Sequence, residues 1–141
     1  MNAVRFIRAG FTNCLVFSGR STRPEYWWFF GFTLVGFYLL LTVDIAVLGL
    51  SVLGEPMKWL SLAGAFTLIT LLPILAVGYR RLQDAGLPGW LYIALTAVSY
   101  VQLFASNVML QYAAMAASVG TLVLAVLPSQ GRDNQYGAKP Q

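Results

Sequence analysis

The sequence predicts an all-α polytopic membrane protein, with four transmembrane helices behind a short amphipathic helix lying in the membrane interface. Three observations predict it. Hydrophobic residues make up 58% of the chain and charged residues only 10%, whereas a soluble domain carries about 25% charged. Mean hydropathy is +0.69, and the apolar residues fall in runs long enough to cross the ~30 Å hydrocarbon core as helix. Lys and Arg lie in short clusters between those runs, where topology determinants belong.

At 141 residues the chain is one domain, a single membrane domain over 1–141. Residues 1–25 are its polar leading segment. Within 1–19, Val4, Ile7, Phe11 and Leu15 recur at helical spacing, with Arg5, Arg8 and Thr12 on another face. A basic helix of this kind lies on a membrane rather than across it; an unstructured tail is the alternative. Arg5 and Arg8 precede too short an apolar stretch, Cys14 to Phe17, for a cleaved signal.

After a break at Gly19-Arg20-Ser21, Thr22 and Glu25 have the spacing of a capping box and Pro24 suits a first helical turn. Tyr26, Trp27 and Trp28 mark a headgroup boundary. The first span is 26–53, with Asp44 its one charge; it would reach about 40 Å as helix, so it tilts or protrudes. Gly54-Glu55-Pro56-Met57-Lys58 forms a tight polar turn. The second span is 59–79, carrying Pro73, which frees a carbonyl one turn earlier and kinks the helix or serves as a hinge.

Residues 80–89 read as the next loop, where Gly86 and Gly89 end one helix and Pro88 helps start another. From Asp84 no charge appears until Arg132, a run of about 70 Å as one helix, so it turns back, best at Ser106-Asn107. The third span is then 90–105, the fourth 108–127, and 128–141 the tail. On the fourth, Ala113, Ala116, Ala117 and Gly120 form a small-residue face for close helix packing, within the chain or against a second copy.

With four spans, Arg5, Arg8, Arg20, Arg23, Arg80, Arg81, Arg132 and Lys139 share one side and Lys58 alone takes the other. The positive-inside rule places both termini in the cytoplasm. The net charge of +4 does not point to nucleic acid, because no basic stripe is interleaved with exposed aromatics. No histidine is present, Cys14 is the one cysteine, and five carboxylates are dispersed along the chain. That composition lacks the commonest general base and metal ligand, so no metal, no cofactor and no enzymatic activity are expected.

Three polar segments are thus expected at one face. They are Phe17-Ser18-Gly19-Arg20-Ser21-Thr22-Arg23-Pro24-Glu25-Tyr26-Trp27-Trp28, then Arg80-Arg81-Leu82-Gln83-Asp84-Ala85-Gly86-Leu87-Pro88-Gly89-Trp90, then Gly131-Arg132-Asp133-Asn134-Gln135-Tyr136-Gly137. Together they resemble the bacterial inner-membrane domain of unknown function 805 family, with its F-x-G-R-x-x-R-x-E-[YF]-W, R-R-L-H-D-x-G-x-S-G-W and N-x-[YF]-G motifs. The resemblance spans nearly the whole chain. It implies the polytopic architecture and an inner-membrane location, and no activity. Gln83 stands where the family usually has histidine, and Pro88 where it has a small hydroxyl residue, so a proton shuttle at position 83 does not carry over.

The candidate site follows from that topology: Arg20, Arg23, Glu25, Arg80, Arg81, Asp84 and Trp90, joined by Trp27 and Trp28. Arginine pairs bidentately with carboxylate or phosphate, so the cluster could hold a lipid phosphate or dock a partner. The structural alternative has the arginines fixing topology and tying loops to Glu25 and Asp84. Asp44, the intramembrane acid, is either a satisfied or snorkelling polar contact or part of an ion or proton relay. Three functions remain. A non-enzymatic membrane scaffold or accessory subunit stands first, with membrane lipids, a second copy or other membrane proteins as partners. Binding or transport of an anionic lipid or small solute through the arginine and tryptophan cluster comes next. Last is an enzyme on lipid-linked substrates, for which Glu25 and Asp84 would be the acids.

Overall fold

The structure, a computed structural model, describes residues 3–50, 61–101 and 107–138. It contains five helices among those residues: α1 (Ala3–Thr12), α2 (Arg23–Leu48), α3 (Leu62–Asp84), α4 (Trp90–Val101) and α5 (Val108–Val126). Helices α2, α3 and α5 are long and apolar enough to cross a membrane, and α4 is a shorter apolar helix. The all-α, polytopic expectation holds. The expected turn at 54–58 and the junction at Ser106, with the outer end of the third span, lie outside the described residues.

The helices start where their caps dictate. Thr22 accepts the N–H of Glu25 through its hydroxyl at 3.4 Å, with Pro24 in the first turn of α2. Ser61 caps α3 through Gly64 N–H at 3.1 Å, and Asn107 caps α5 through Met109 N–H at 2.8 Å. Three boundaries differ from the expected ones. The leading helix covers only Ala3–Thr12, not 1–19. Helix α2 stops at Leu48 rather than 53, because Gly49 turns to φ 77°. Residues 80–84 are not loop but the last turns of α3, which remains helical through the buried Pro73.

The end of α3 explains the third difference. The N–H of Leu87 donates to the Leu82 carbonyl at 2.9 Å and that of Gly86 to the Gln83 carbonyl at 3.0 Å, with Gly86 at φ 82°. This is a Schellman stop, and it falls after Asp84. The polar residues ahead of it stay helical because each finds partners inside the protein, as detailed below.

Helix α2 lies along α3, and α4 along α5, so the bundle is two hairpins in contact with one another, with α1 laid across α2 and α3. Gly10 of α1 is buried against the Phe29 ring, and Phe11 makes edge contacts with Phe29 and Phe32, at 5.3 and 5.9 Å between centroids. Val4 and Leu15, expected on the same apolar face, are exposed. The fully buried core is Tyr26, Phe29, Val77, Leu82, Tyr92 and Ala125. It gathers at the end of the bundle where α2 begins and α3 and α5 end. The α5 face that packs inward is Ala114, Ala117, Thr121 and Ala125, whereas Ala113 and Ala116 are exposed. Of the predicted small-residue face, Ala117 alone is thus buried; Gly120 lies 3.9 Å from Leu95 when given a Cβ.

Candidate functional site: an arginine lock and a hydroxyl-lined cavity

The three polar segments do meet at one end of the bundle, and their centre is Asp84. Its carboxylate accepts from Arg20 Nε at 2.9 Å on one oxygen and from Arg81 Nη1 on the other. All three side chains are essentially excluded from solvent, at 1% exposure or less. Buried charges of this kind persist only when paired and hydrogen-bonded. Arg81 reaches on from Asp84 to the carbonyls of Ala125, at 3.0 Å, and Leu127, and to the Ser129 hydroxyl at 3.2 Å. Arg23 donates to the Val126 carbonyl at 2.8 Å and that of Leu127 at 3.2 Å.

Two guanidiniums therefore cap the C-terminus of α5, where the last carbonyls lack helical partners and the helix dipole is negative. Arg20 extends the lock into the tail, donating to the carbonyls of Gln130 at 2.6 Å and Arg132 at 2.8 Å. The tail returns to α3: Gln130 N–H donates to the Asp84 carbonyl at 3.0 Å, and Asn134 Nδ2 to the Gln83 carbonyl at 2.9 Å. A tight turn from Asn134 to Gly137 holds that asparagine in place.

Gln83, with its amide oriented by its partners, donates to the carbonyls of Gly19 at 2.7 Å and Phe17 at 3.1 Å. The position needs an N–H donor aimed at the 17–19 loop. Glutamine supplies that without titrating, and an imidazole N–H could supply it as well.

Of the predicted cluster, Arg20, Arg23, Arg81 and Asp84 come together. Arg80 and Glu25 stand beside them as a looser pair, 3.8 Å apart, with Arg80 Nε also on the Ala76 carbonyl at 3.3 Å. Arg80 Nη2 and the Ser21 hydroxyl are buried without a hydrogen-bond partner. The tryptophans do not join. Trp27, Trp28 and Trp90 are 37%, 49% and 58% exposed, because Tyr26, Phe29 and Tyr92 occupy the inward positions of the same helical turns. The roles of Ser129 and Gln130 had no signal in the sequence, whereas Asn134 was pointed to by the tail motif.

Asp44 sits at the other end of α2, 3% exposed. Its two oxygens accept the N–H groups of Leu62, at 3.0 Å, and Ala63, at 2.8 Å. With Ser61 it satisfies the free donors at the start of α3, where a negative charge is favourable. The satisfied polar contact is the arrangement present. Asp44→Asn keeps one acceptor and turns an amide N–H toward a helix N-terminus, so it should lower stability by about 1–3 kcal/mol. Thermal unfolding in mild detergent checks this; a midpoint equal to that of the unaltered protein would leave the cap without energetic weight.

Between the hairpins lies an open cavity of about 610 Å³ lined, among the described residues, by Ser61 and residues of α2, α3, α4 and α5, none of them charged. At the arginine end its wall includes Tyr26 and Tyr92, whose hydroxyls are 3.2 Å apart. From Ile74 to Ser61 it follows α3 for about 20 Å at the helical rise, two thirds of a ~30 Å hydrocarbon core.

A bundle of apolar helices, locked at one end by buried arginines and open between its hairpins, defines a polytopic α-helical membrane protein. The chain belongs to the protein family of unknown function DUF805, whose profile matches residues 14–138. No curated protein and no solved structure matches it.

Proposed function

We propose that this protein is a non-enzymatic accessory component of the bacterial inner membrane, with both termini in the cytoplasm, that holds a lipophilic molecule between its hairpins. The cavity carries this reading. Its volume of about 610 Å³ falls within the ~300–1,000 Å³ of small-molecule sites. Its lining among the described residues is uncharged, and it follows α3 from Ile74 to Ser61, so its natural source of ligand is the bilayer. The arginine cluster favours the cavity over a phosphate site at the lock, since Arg20, Arg23 and Arg81 are already bonded to Asp84 and to carbonyls of this chain. The eight Lys and Arg residues assigned to one side support the cytoplasmic placement of that end.

Filling the cavity tests the reading. Ser118→Phe, with Thr67→Phe as a second variant, adds a ring to the wall. Native mass spectrometry of the protein in mild detergent should find a lipophilic molecule on the unaltered protein and at least tenfold less on either variant. Equal adducts on all three, or none on any, overturn binding at this site and leave a scaffold acting through its outer surface.

A further inference from the structure

Resting on that reading, the chemistry of the wall narrows the ligand. Of the hydroxyl residues that line the cavity, six have their protons already directed to carbonyls of their own helices. Thr33 donates to the Phe30 carbonyl, Thr67 to Ala63, Thr70 to Phe66, Ser99 to Leu95, Ser118 to Ala114 and Thr121 to Ala117, all between 2.8 and 3.0 Å. Each is a bond back to its own helix, the usual way a hydroxyl is tolerated in an apolar helix. A hydroxyl oxygen has two lone pairs, and donating its proton leaves both free to accept. The Tyr26 and Tyr92 hydroxyls use one proton on each other. One proton of that pair and the hydroxyls of Tyr38, Thr96 and Tyr100 remain as donors, so the wall offers more hydrogen-bond acceptors than donors.

Among the described residues, no Lys, Arg, Asp or Glu lines the cavity. A charged head drawn between the helices would meet no counter-ion, and an unpaired charge there is strongly disfavoured. An acceptor-rich, uncharged wall selects a ligand that is neutral and brings its own donors. A purely hydrocarbon chain would fill the volume without meeting the oxygens. We propose that the cavity is a binding site for an uncharged lipid whose head carries free hydroxyl groups, of the diacylglycerol or long-chain alcohol class.

The full chain in phosphatidylcholine nanodiscs supplies the test, using isotope-labelled dioleoylglycerol, its O-acetylated derivative and dioleoyl phosphatidic acid as probes. These share acyl chains and differ in donors and charge. Dioleoylglycerol should be retained at least fivefold over both of the others. Thr70→Val together with Thr121→Val keeps the side-chain shape and removes two acceptors, and should reduce that preference to less than twofold. Equal retention of the free and acetylated glycerides by the unaltered protein overturns the donor argument. A preference for phosphatidic acid overturns it too. If phosphatidylcholine alone is held, and Ser118→Phe releases it, the cavity still binds lipid and the hydroxyl-lipid assignment fails by itself. Retention of nothing, unchanged by Ser118→Phe, removes both.

Discussion

Arg81→Met should be the most damaging single change in this protein, lowering its stability by about 3–5 kcal/mol, the usual effect of removing one partner from a buried ion pair. The Arg81 side chain is fully buried and holds Asp84, the Ala125 and Leu127 carbonyls and the Ser129 hydroxyl at once. Methionine fills much of the same volume and supplies none of those donors. Asp84 is left buried with Arg20 alone, and the end of α5 keeps Arg23 alone. Arg81→Lys should recover little, since one ammonium cannot reproduce a planar fork serving three directions. Thermal unfolding and protease resistance in mild detergent measure the loss. A change below about 0.5 kcal/mol would mean that α3 and α5 are held by apolar contact without the lock. The same geometry makes arginine substitutions a poor probe of ligand binding, because a ligand lost from such a variant would report a loosened bundle. Changes in the cavity wall avoid that ambiguity.

Gly78→Ala ranks second, with an expected loss of about 1–3 kcal/mol from overpacking. A Cβ on Gly78 would lie 2.1 to 2.4 Å from three atoms of the Tyr92 ring. That ring is 3% exposed and joined through its hydroxyl to Tyr26, so it yields only by swinging toward the cavity and breaking that bond, or by α3 and α4 parting. The α3–α4 contact is one of those that bring the two hairpins together. Gly31→Ala on α2 is the control: its Cβ would meet nothing within 4 Å, so the higher helix propensity of alanine makes it neutral or mildly stabilising. If the two variants unfold at the same temperature, the Gly78–Tyr92 approach does not limit hairpin docking.

Particular residues show how far the sequence could be read. Thr22, Pro24, Asn107 and Gly86 announced helix ends through local chemistry that needs no distant partner, and each is found in that role. Gly86 also stops α3 after Asp84, yet the run of Arg80, Arg81, Gln83 and Asp84 read as loop, because polar residues in sequence suggest exposure. Arg81 and Asp84 do pair within one turn, but further partners that let them stay buried lie 44 and 64 positions away, at Ala125 and Arg20, and no window along the chain contains both ends of those bonds. The face of α5 was misjudged for a related reason. Small residues occupy both Ala113 with Ala116 and Ala114 with Ala117, and only the placement of α3 and α4 decides which pair turns inward.

The sequence by itself determined that this protein is built of apolar helices, where most of them begin, and that its three polar motif segments belong to one end. Those properties follow from hydropathy, capping and charge placement, all of which act locally or against the bilayer. Tertiary structure alone decided that the arginines close a lock on Asp84 and the end of α5, and that Asp44 caps α3. It alone also decided that hydroxyls from four helices face a common cavity. Each of these depends on which helix faces which, and without water in the bilayer that choice rests on packing and on satisfying buried polar groups across distant segments.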